Sequence, residues 1–348
     1  SKKEDEPNSI NNNQAVSSSE LQSSNDNVNN NEIHDPNKTK AASYGMSIQN
    51  EYLSQYNGPN LSDIGYNVDY INQIDENEIE KERGVILSEI KMSKDDIEDL
   101  SFKNVNRIAF DKSSLKYEVT GIEKNVSEFT RKEIKDYYKK HYTPKNALIT
   151  MVSSLSHEDA LNLIEKHFGM WNGEKPENIE IIKEKNKKVT EINYKKDIEQ
   201  STIVYLYTFY DLNKEDELPL RILNHRLGES SNSLLFREVR EKRGLAYDIY
   251  THLEITNNIK TLYIYTAVGE ENINEAKDSI DETLENIVQG KIVIGERDLE
   301  IMKKVHKTAV ISTLEDSSEL CNYMLHQALE DEDIYEFLKD MDRLNTLN

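Results

Sequence analysis

The sequence predicts a layered fold of helices and strands, either α/β or α+β, on two observations. Between residues 130 and 169 a helix, an apolar strand and a second helix follow one another, and such a succession packs in layers around one core. After residue 188 the order is strands, helices, a hairpin and more helices, so the first half looks like a partial copy of the second.

The first half is predicted to be mainly helical. Asp75 and Glu78 form a capping-box pattern that starts the first helix, and Thr130 with Glu133 repeats it. ALITMVSSL is a continuous apolar run and is typical of a buried strand. The predicted elements are helices at about 77–93 and 94–106, a helix from 130 that ends before Pro144, the strand at 147–155, and a helix from Ser156 to Gly169.

The second half begins after a polar stretch, 173–188, which is predicted to be a linker. Two alternating segments joined by TNNIK indicate a hairpin. The predicted elements are strands at 189–196 and 201–210, helices at 216–228 and 233–244, the hairpin strands at 246–255 and 261–268, and helices at 271–289, 295–312, 316–328 and 333–341.

Composition excludes several classes of function. The formal net charge of −22 argues against nonspecific binding to nucleic acid or to an anionic membrane, and is compatible with a basic substrate or partner. No run approaches the ~20 apolar residues of a membrane span. Cys321 is the one cysteine, so an internal disulfide and a thiolate metal cluster are both excluded. Residues 1–40 are rich in Asn and Ser and are predicted to be disordered.

Three segments carry a resemblance to a known family. They are ENEIEKERGVILSEIKM (76–92), FTRKEIKDYYKKHYTPKNALITMV (129–152) and LLFREVREKRGLAYDIY (234–250). In this order and spacing they resemble the insulinase/pitrilysin-type zinc metallopeptidases, in the branch related to mitochondrial processing peptidase. The resemblance covers roughly residues 75–345.

The resemblance implies an α+β fold of two homologous domains, each a mostly antiparallel sheet with helices packed on one side. The first domain is expected to be incomplete. The predicted layout is a disordered leader at 1–40, a partial first domain at 41–172, the linker at 173–188, and a second domain at 189–348.

The resemblance also implies a zinc site. In the family, two histidines of a His-x-x-Glu-His motif and a glutamate from a later helix bind zinc. The later glutamate corresponds to Glu89, and Glu82, two turns earlier on the same helix, corresponds to an acidic residue that supports the site. Arg240 and Tyr247 correspond to residues that hold the substrate or stabilise the transition state from the opposite half of the chamber.

The His-x-x-Glu-His motif is absent, since no two of the eight histidines lie four residues apart. We therefore expect that this chain alone cannot hold zinc. In a first interpretation it is a fragment of a zinc endopeptidase whose histidine helix lies upstream. In a second it is a zinc-free subunit that supplies Arg240 and Tyr247 to a homologous catalytic partner, and in a third it is a non-enzymatic scaffold. The expected substrate is a peptide or unfolded polypeptide, and a cytoplasmic or organellar location is expected.

Overall fold

The structure, a computed structural model, describes residues 75–347. Its helices are α1 (Glu76–Ser93), α2 (Ile97–Ala109), α3 (Glu123–Glu128), α4 (Arg131–His141), α5 (His157–Phe168), α6 (Lys214–Asn224), α7 (Ile273–Val288), α8 (Glu296–Glu315), α9 (Ser317–Leu329) and α10 (Glu336–Thr346). Its strands are β1 (Ser201–Thr208), β2 (Ala246–Ile255) and β3 (Lys260–Val268). Two π-helical segments, His225–Glu229 and Phe236–Glu241, stand between α6 and β2. The predicted leader at 1–40 lies outside the described residues.

The three strands form an antiparallel sheet in the order β1-β3-β2, so β3 is the central strand. Side chains alternate across a strand, which directs Leu262 and Ile264 to one face of β3 and Tyr263 to the other. Both sets are buried. A strand that is buried on both faces needs apolar residues at consecutive positions, and the sequence TLYIYTAV meets this requirement.

The larger core lies on the Ile264 face of the sheet. There α7 contributes Ala276 and Ile280, and the second π-helical segment contributes Val239. The completely buried members of this core include Leu235, Val239, Ile264, Val268, Ala276 and Ile280. Helices α6, α8 and α10 form a further cluster around Leu218, Ile222, Met302 and Leu344. The predicted α+β architecture is thereby confirmed.

The opposite face of the sheet is covered by α2, which comes from the first half of the chain. The Phe102 ring packs against Tyr263 at 5.4 Å between ring centroids. Tyr250 Oη donates to Glu98 Oε1 at 2.6 Å, and Tyr263 Oη donates to Asn106 Oδ1 at 2.7 Å. Burial raises the pKa of Tyr263 to about 12, so its phenol remains a proton donor at neutral pH. The tyrosine-rich strands thus pack the first half of the chain against the second.

Two predicted strands are wrong. Residues 147–155 and 189–196 form no strand, although their composition favours one. A strand needs a neighbour to complete its hydrogen-bond ladder. The sheet formed by the described residues uses only β1, β2 and β3, so neither segment is paired. Between residues 75 and 172, the described part of the predicted first domain is helical.

The helix ends follow some of the sequence signals and depart from others. Thr130 and Glu133 form the predicted capping box, with Thr130 N–H donating to Glu133 Oε2 at 2.8 Å. Asp75 caps α1 by accepting from the Asn77 N–H at 3.1 Å, while Glu78 pairs with Lys81 and forms no box. The helices predicted at 216–228 and 233–244 both pass into π-helical segments.

The end of the predicted linker is attached to both halves. The Glu184 carboxylate accepts the backbone N–H groups of Asp111, Lys112 and Ser113, the last at 2.8 Å. The Asn186 side chain accepts from Thr208 N–H at 3.1 Å and donates to the Leu206 carbonyl at 3.1 Å. This stretch therefore ties the exit of α2 to the end of β1.

None of the helices between residues 75 and 347 has the length and apolar character that a bilayer crossing needs.

Replacing Ile264 by Ala should lower the free energy of unfolding by roughly 2–5 kcal/mol, because Ile264 is fully buried in the central strand and a cavity would remain. Chemical denaturation measures the change. Ile192→Ala is the matched control, since Ile192 is 73% exposed, and should change stability by less than about 0.5 kcal/mol. Equal effects of the two substitutions would contradict the assigned core.

Glu184→Gln should destabilise the protein at neutral pH, because three backbone N–H groups hold the pKa of the Glu184 carboxyl below its usual 4.5. A carboxyl with a lowered pKa in the folded state stabilises above pH 4.5 and loses this effect as the pH falls through the folded pKa. The denaturation midpoints of wild type and variant should therefore converge on acidification. The exposed Glu177→Gln control should show no difference at either pH. A difference in denaturation midpoint between wild type and Glu184→Gln that is independent of pH would refute the electrostatic explanation.

Candidate functional site

Helix α1 presents Glu82 and Glu89 to solvent. The helix is fixed along an adjoining face, where Ile79 and Ile90 are buried. Arg83 also reaches from α1 to the end of α3, donating to the carbonyl of Phe129 at 2.7 Å and to that of Val126. Seven residues separate the two glutamates, which corresponds to about 10 Å along the helix axis. They can therefore face the same site, but at different distances from it.

These residues do not make a complete zinc site. Zinc in a hydrolytic site takes three protein ligands, which are mostly imidazoles and a carboxylate. In residues 75–347 no three His, Cys, Asp or Glu side chains are grouped so that they could hold a metal. Within the described residues Glu89 therefore belongs to no group of side chains that could hold a metal ion.

The second π-helical segment presents Arg240. Its Val239 is completely buried in the core, whereas the neighbouring Arg240 is exposed. The Arg240 guanidinium lies 4.9 Å from the centre of the Phe236 ring, a cation–π distance. No carboxylate among the described residues forms an ion pair with Arg240 at up to 4.0 Å. This cation is therefore available to an external acceptor.

A turn and a β-bulge then present Tyr247. Gly244 adopts a φ of +65°, in the left-handed region that favours glycine, and directs the chain from the π-helical segment into β2. Ala246 opposes Val268 while Asp248 opposes Ala267, so Tyr247 is the extra residue of the bulge. Its side chain is 63% exposed. Bulges commonly redirect a side chain next to a functional site.

Two of the other cations of the REVREKR run, Lys242 and Arg243, have carboxylate partners. Arg243 Nη2 lies 2.7 Å from Glu282 Oε2, and Lys242 Nζ lies 2.5 Å from Glu238 Oε1. Arg240 thus differs from Lys242 and Arg243 in having no carboxylate partner among the described residues.

Arg240 lies near the end of the second π-helical segment and Tyr247 lies near the start of β2. A short connection with the Gly244 turn joins the two elements. Backbone hydrogen bonds hold this connection, from Gly244 N–H to the Arg240 carbonyl at 3.1 Å and from Leu245 N–H to the Val239 carbonyl at 3.0 Å. Glu82 and Glu89 lie on α1, a separate element. Sequence reasoning missed the bulge, for which the Gly-Leu-Ala-Tyr stretch was the available signal.

The chain is similar to a known protein family and to curated relatives. A family model described as "Peptidase M16 inactive domain" matches residues 128–305, just over half of the chain and on both sides of the predicted linker. A curated relative, the uncharacterized zinc protease YmxG of Bacillus subtilis, is 29% identical over 245 residues. The match covers 70% of this chain and 58% of YmxG, so the chain spans less than two thirds of this relative's length.

Solved structures show the same fold. A protease from Helicobacter pylori superposes with a TM-score of 0.71 at 20% identity, covering 79% of this chain and 68% of that one. A peptidase M16 inactive domain from Pseudomonas fluorescens superposes with a TM-score of 0.69 at 15% identity, covering 79% and 65%.

The purified chain should hold much less than one equivalent of zinc, because a zinc site requires three protein ligands and the described residues contain no such group. Metal analysis after dialysis against a weak chelator measures the content. Glu89→Gln should leave the low content unchanged. One zinc per chain in the wild type, lost in Glu89→Gln, would show that the donor set is complete without a partner.

Proposed function

The chain belongs to the peptidase M16 family, the insulinase/pitrilysin type, and on this premise we propose that it takes part in the hydrolysis of peptide bonds by binding the substrate. The observation that carries the proposal is the exposed pair Arg240 and Tyr247, which a π-helical segment and a β-bulge hold at the start of β2. The substrate class is a peptide or an unfolded polypeptide.

The chemistry of the two side chains suits an extended peptide. A guanidinium is charged at all relevant pH values and donates several N–H groups, and a phenol donates one O–H. Either group can bind a substrate carbonyl, and both can stabilise the oxyanion that forms when the carbonyl is attacked. Both positions are set by backbone geometry, which limits the reorganisation needed on binding.

Under the same proposal, Glu89 is the carboxylate ligand of the zinc site and Glu82 supports that site from two turns away. The two histidines come from outside this chain, either from an upstream segment or from a homologous M16 subunit. The exposure of both glutamates supports this role, since a ligand awaiting a partner must be accessible. Under this proposal the metal site is complete only when the two histidines and Glu89 have come together.

A second candidate is that the chain is a zinc-free subunit that supplies only Arg240 and Tyr247 to a catalytic partner. The observation that favours it is the absence of His-x-x-Glu-His from all 348 residues. The two candidates differ in the role of Glu89. If Glu89→Gln abolishes the activity of the assembled protein, Glu89 is a ligand; if it has no effect, the chain is the zinc-free subunit.

Arg240→Ala should weaken binding of an unfolded polypeptide roughly 10-fold or more, because a charge-assisted hydrogen bond contributes about 1.5–3 kcal/mol. Tyr247→Phe, which removes only the hydroxyl, should weaken binding by a smaller factor. Fluorescence anisotropy with labelled, reduced and carboxymethylated lactalbumin measures the affinity.

Arg243→Ala is the matched control for charge, since Arg243 is three residues away and already paired with Glu282. It should leave the affinity within about two-fold, as expected for the loss of a surface ion pair. If Arg240→Ala and Arg243→Ala weaken binding equally, the effect is one of net charge and the assigned site is wrong.

A further inference from the structure

Glu254, near the end of β2, is a half-buried carboxylate without a cationic partner. No ion pair up to 4.0 Å and no hydrogen bond joins its carboxylate to any residue between 75 and 347. Burial raises the pKa of Glu254, the charge of Glu330 raises it further, and no lysine or arginine counteracts these two effects. Where donors are present the shift is opposite, since hydrogen bonds from Thr130 lower the pKa of Glu133. The described residues therefore leave a charge at Glu254 uncompensated.

Thr261 faces Glu254 across the sheet and has an unused hydroxyl oxygen. The two residues are directly opposite in the register of β2 and β3, so their side chains are neighbours on the face that carries Tyr263. Thr261 is 1% exposed, and its Oγ1 has no hydrogen-bond partner in the described part of the chain. The nearby Tyr263 phenol donates its hydrogen to Asn106 and therefore does not occupy the lone pairs of the Thr261 oxygen. A buried acceptor thus lies beside the uncompensated carboxylate.

Tyr210 supplies a second unused hydroxyl on this face. Phe209 continues the pairing of β1, with its N–H donating to the Lys260 carbonyl at 2.9 Å, and its ring packs against the larger core. The next residue, Tyr210, is therefore directed to the opposite face. Its Oη is buried and finds no hydrogen-bond partner among residues 75–347. Burial and the charge of Glu254 both raise the pKa of Tyr210, which indicates that the phenol lies near that carboxylate.

Glu330 adds negative charge at the same end of the hairpin. The Asn257 N–H donates to Glu330 Oε2, and Asn257 Nδ2 donates to the Glu330 carbonyl, both at 2.5 Å. These bonds hold Glu330 at the turn between β2 and β3, close enough for its charge to act on Glu254. The local potential therefore favours a cation.

The unused groups are acceptors, and this selects the chemistry of a ligand. A carboxylate accepts hydrogen bonds, and a hydroxyl oxygen accepts as well as donates. A primary ammonium has one positive charge and three N–H donors, which match one carboxylate and two hydroxyl oxygens. A guanidinium has its donors in a rigid planar fork and suits a bidentate carboxylate rather than three separate acceptors. A water molecule would satisfy the hydroxyls but would leave the charge of Glu254 uncompensated.

We propose that Glu254, Thr261 and Tyr210 form a binding site for a primary ammonium group, either a lysine side chain of a polypeptide or a free alkylamine. The net charge of −22 attracts such cations to the protein. The site goes beyond the proposed function, because Glu254 lies seven residues along β2 from Tyr247, or about 23 Å in an extended strand.

The test measures the thermal denaturation midpoint of the full chain at neutral pH and constant ionic strength, with increasing n-butylammonium. The wild type should gain stability in a saturable manner, because the ligand binds the folded state. Glu254→Gln should lose this gain, and Thr261→Val should weaken binding roughly 5-fold, the loss of one hydrogen bond. Without ligand, Glu254→Gln should have a higher midpoint than the wild type, because it removes a buried charge.

Two variants and one cation serve as controls. Glu275→Gln removes an exposed carboxylate on α7, and Arg240→Ala removes the cation of the proposed polypeptide site; both should keep the ammonium effect. Tetramethylammonium has the same charge but no N–H donor, and should give no saturable gain.

A blocked peptide, acetyl-Ala-Ala-Lys-Ala-Ala-amide, separates the two sources of the ammonium group. Binding to the wild type at least roughly 10-fold tighter than that of n-butylammonium, or about 1.4 kcal/mol, assigns the site to polypeptides. Equal binding of the two probes assigns it to free amines.

The proposal fails if the wild type shows no saturable gain or if Glu254→Gln shows the same gain. An equal effect of tetramethylammonium, or equal losses in Glu254→Gln and Glu275→Gln, would reduce the effect to net charge and would also overturn it. A lower midpoint of Glu254→Gln without ligand would show that the carboxylate already has a partner, with the same consequence.

Discussion

Pairing of β3 with a strand on each edge, and its burial on both faces, sets the positions of β1, β2, α2, α7 and the second π-helical segment. Ile264 and Val268 are completely buried on the side of α7 and the second π-helical segment. On the other side, Tyr263 joins the sheet to α2 through Phe102 and Asn106. One strand therefore links the sheet of the second half to the helices of the first. Substitutions that disturb its packing act on both halves because the two cores share it.

The same strand determines where Arg240 and Tyr247 stand. β2 must stay in register with β3 so that Ile249 and Leu253 remain in the core, since a shift by one residue would expose them. The bulge absorbs one extra residue without such a shift and leaves Tyr247 outside the ladder. On the other side of Gly244, burial of Val239 fixes the rotation of the π-helical segment and keeps Arg240 at the surface. The exposure of Arg240 and Tyr247 thus follows from the strand register and the core packing that bury their neighbours.

Local signals in the sequence were sufficient where the structure depends on local interactions. The Thr130 capping box, the long helices and the hairpin of β2 and β3 were predictable, because periodicity and turn residues determine them. Residues 147–155 and 189–196 were predicted as strands and are not, because pairing is a property of the neighbour as well as of the segment. For the site, the resemblance to the family is the basis on which Arg240, Tyr247, Glu82 and Glu89 are predicted, and their roles stay predictions. The π-helical turn and the bulge were not predicted, since the first depends on packing in the core and the second on the pairing of β2 with β3.

The two halves differ in how far they can support themselves. The second half encloses a core of thirteen buried residues, whereas the buried apolar residues between 75 and 172 are Ile79, Ile90, Ala109, Phe110 and Val126. Two of these five, Ala109 and Phe110, pack against the sheet of the second half rather than within the first. The first half therefore gains much of its stability from contacts outside itself.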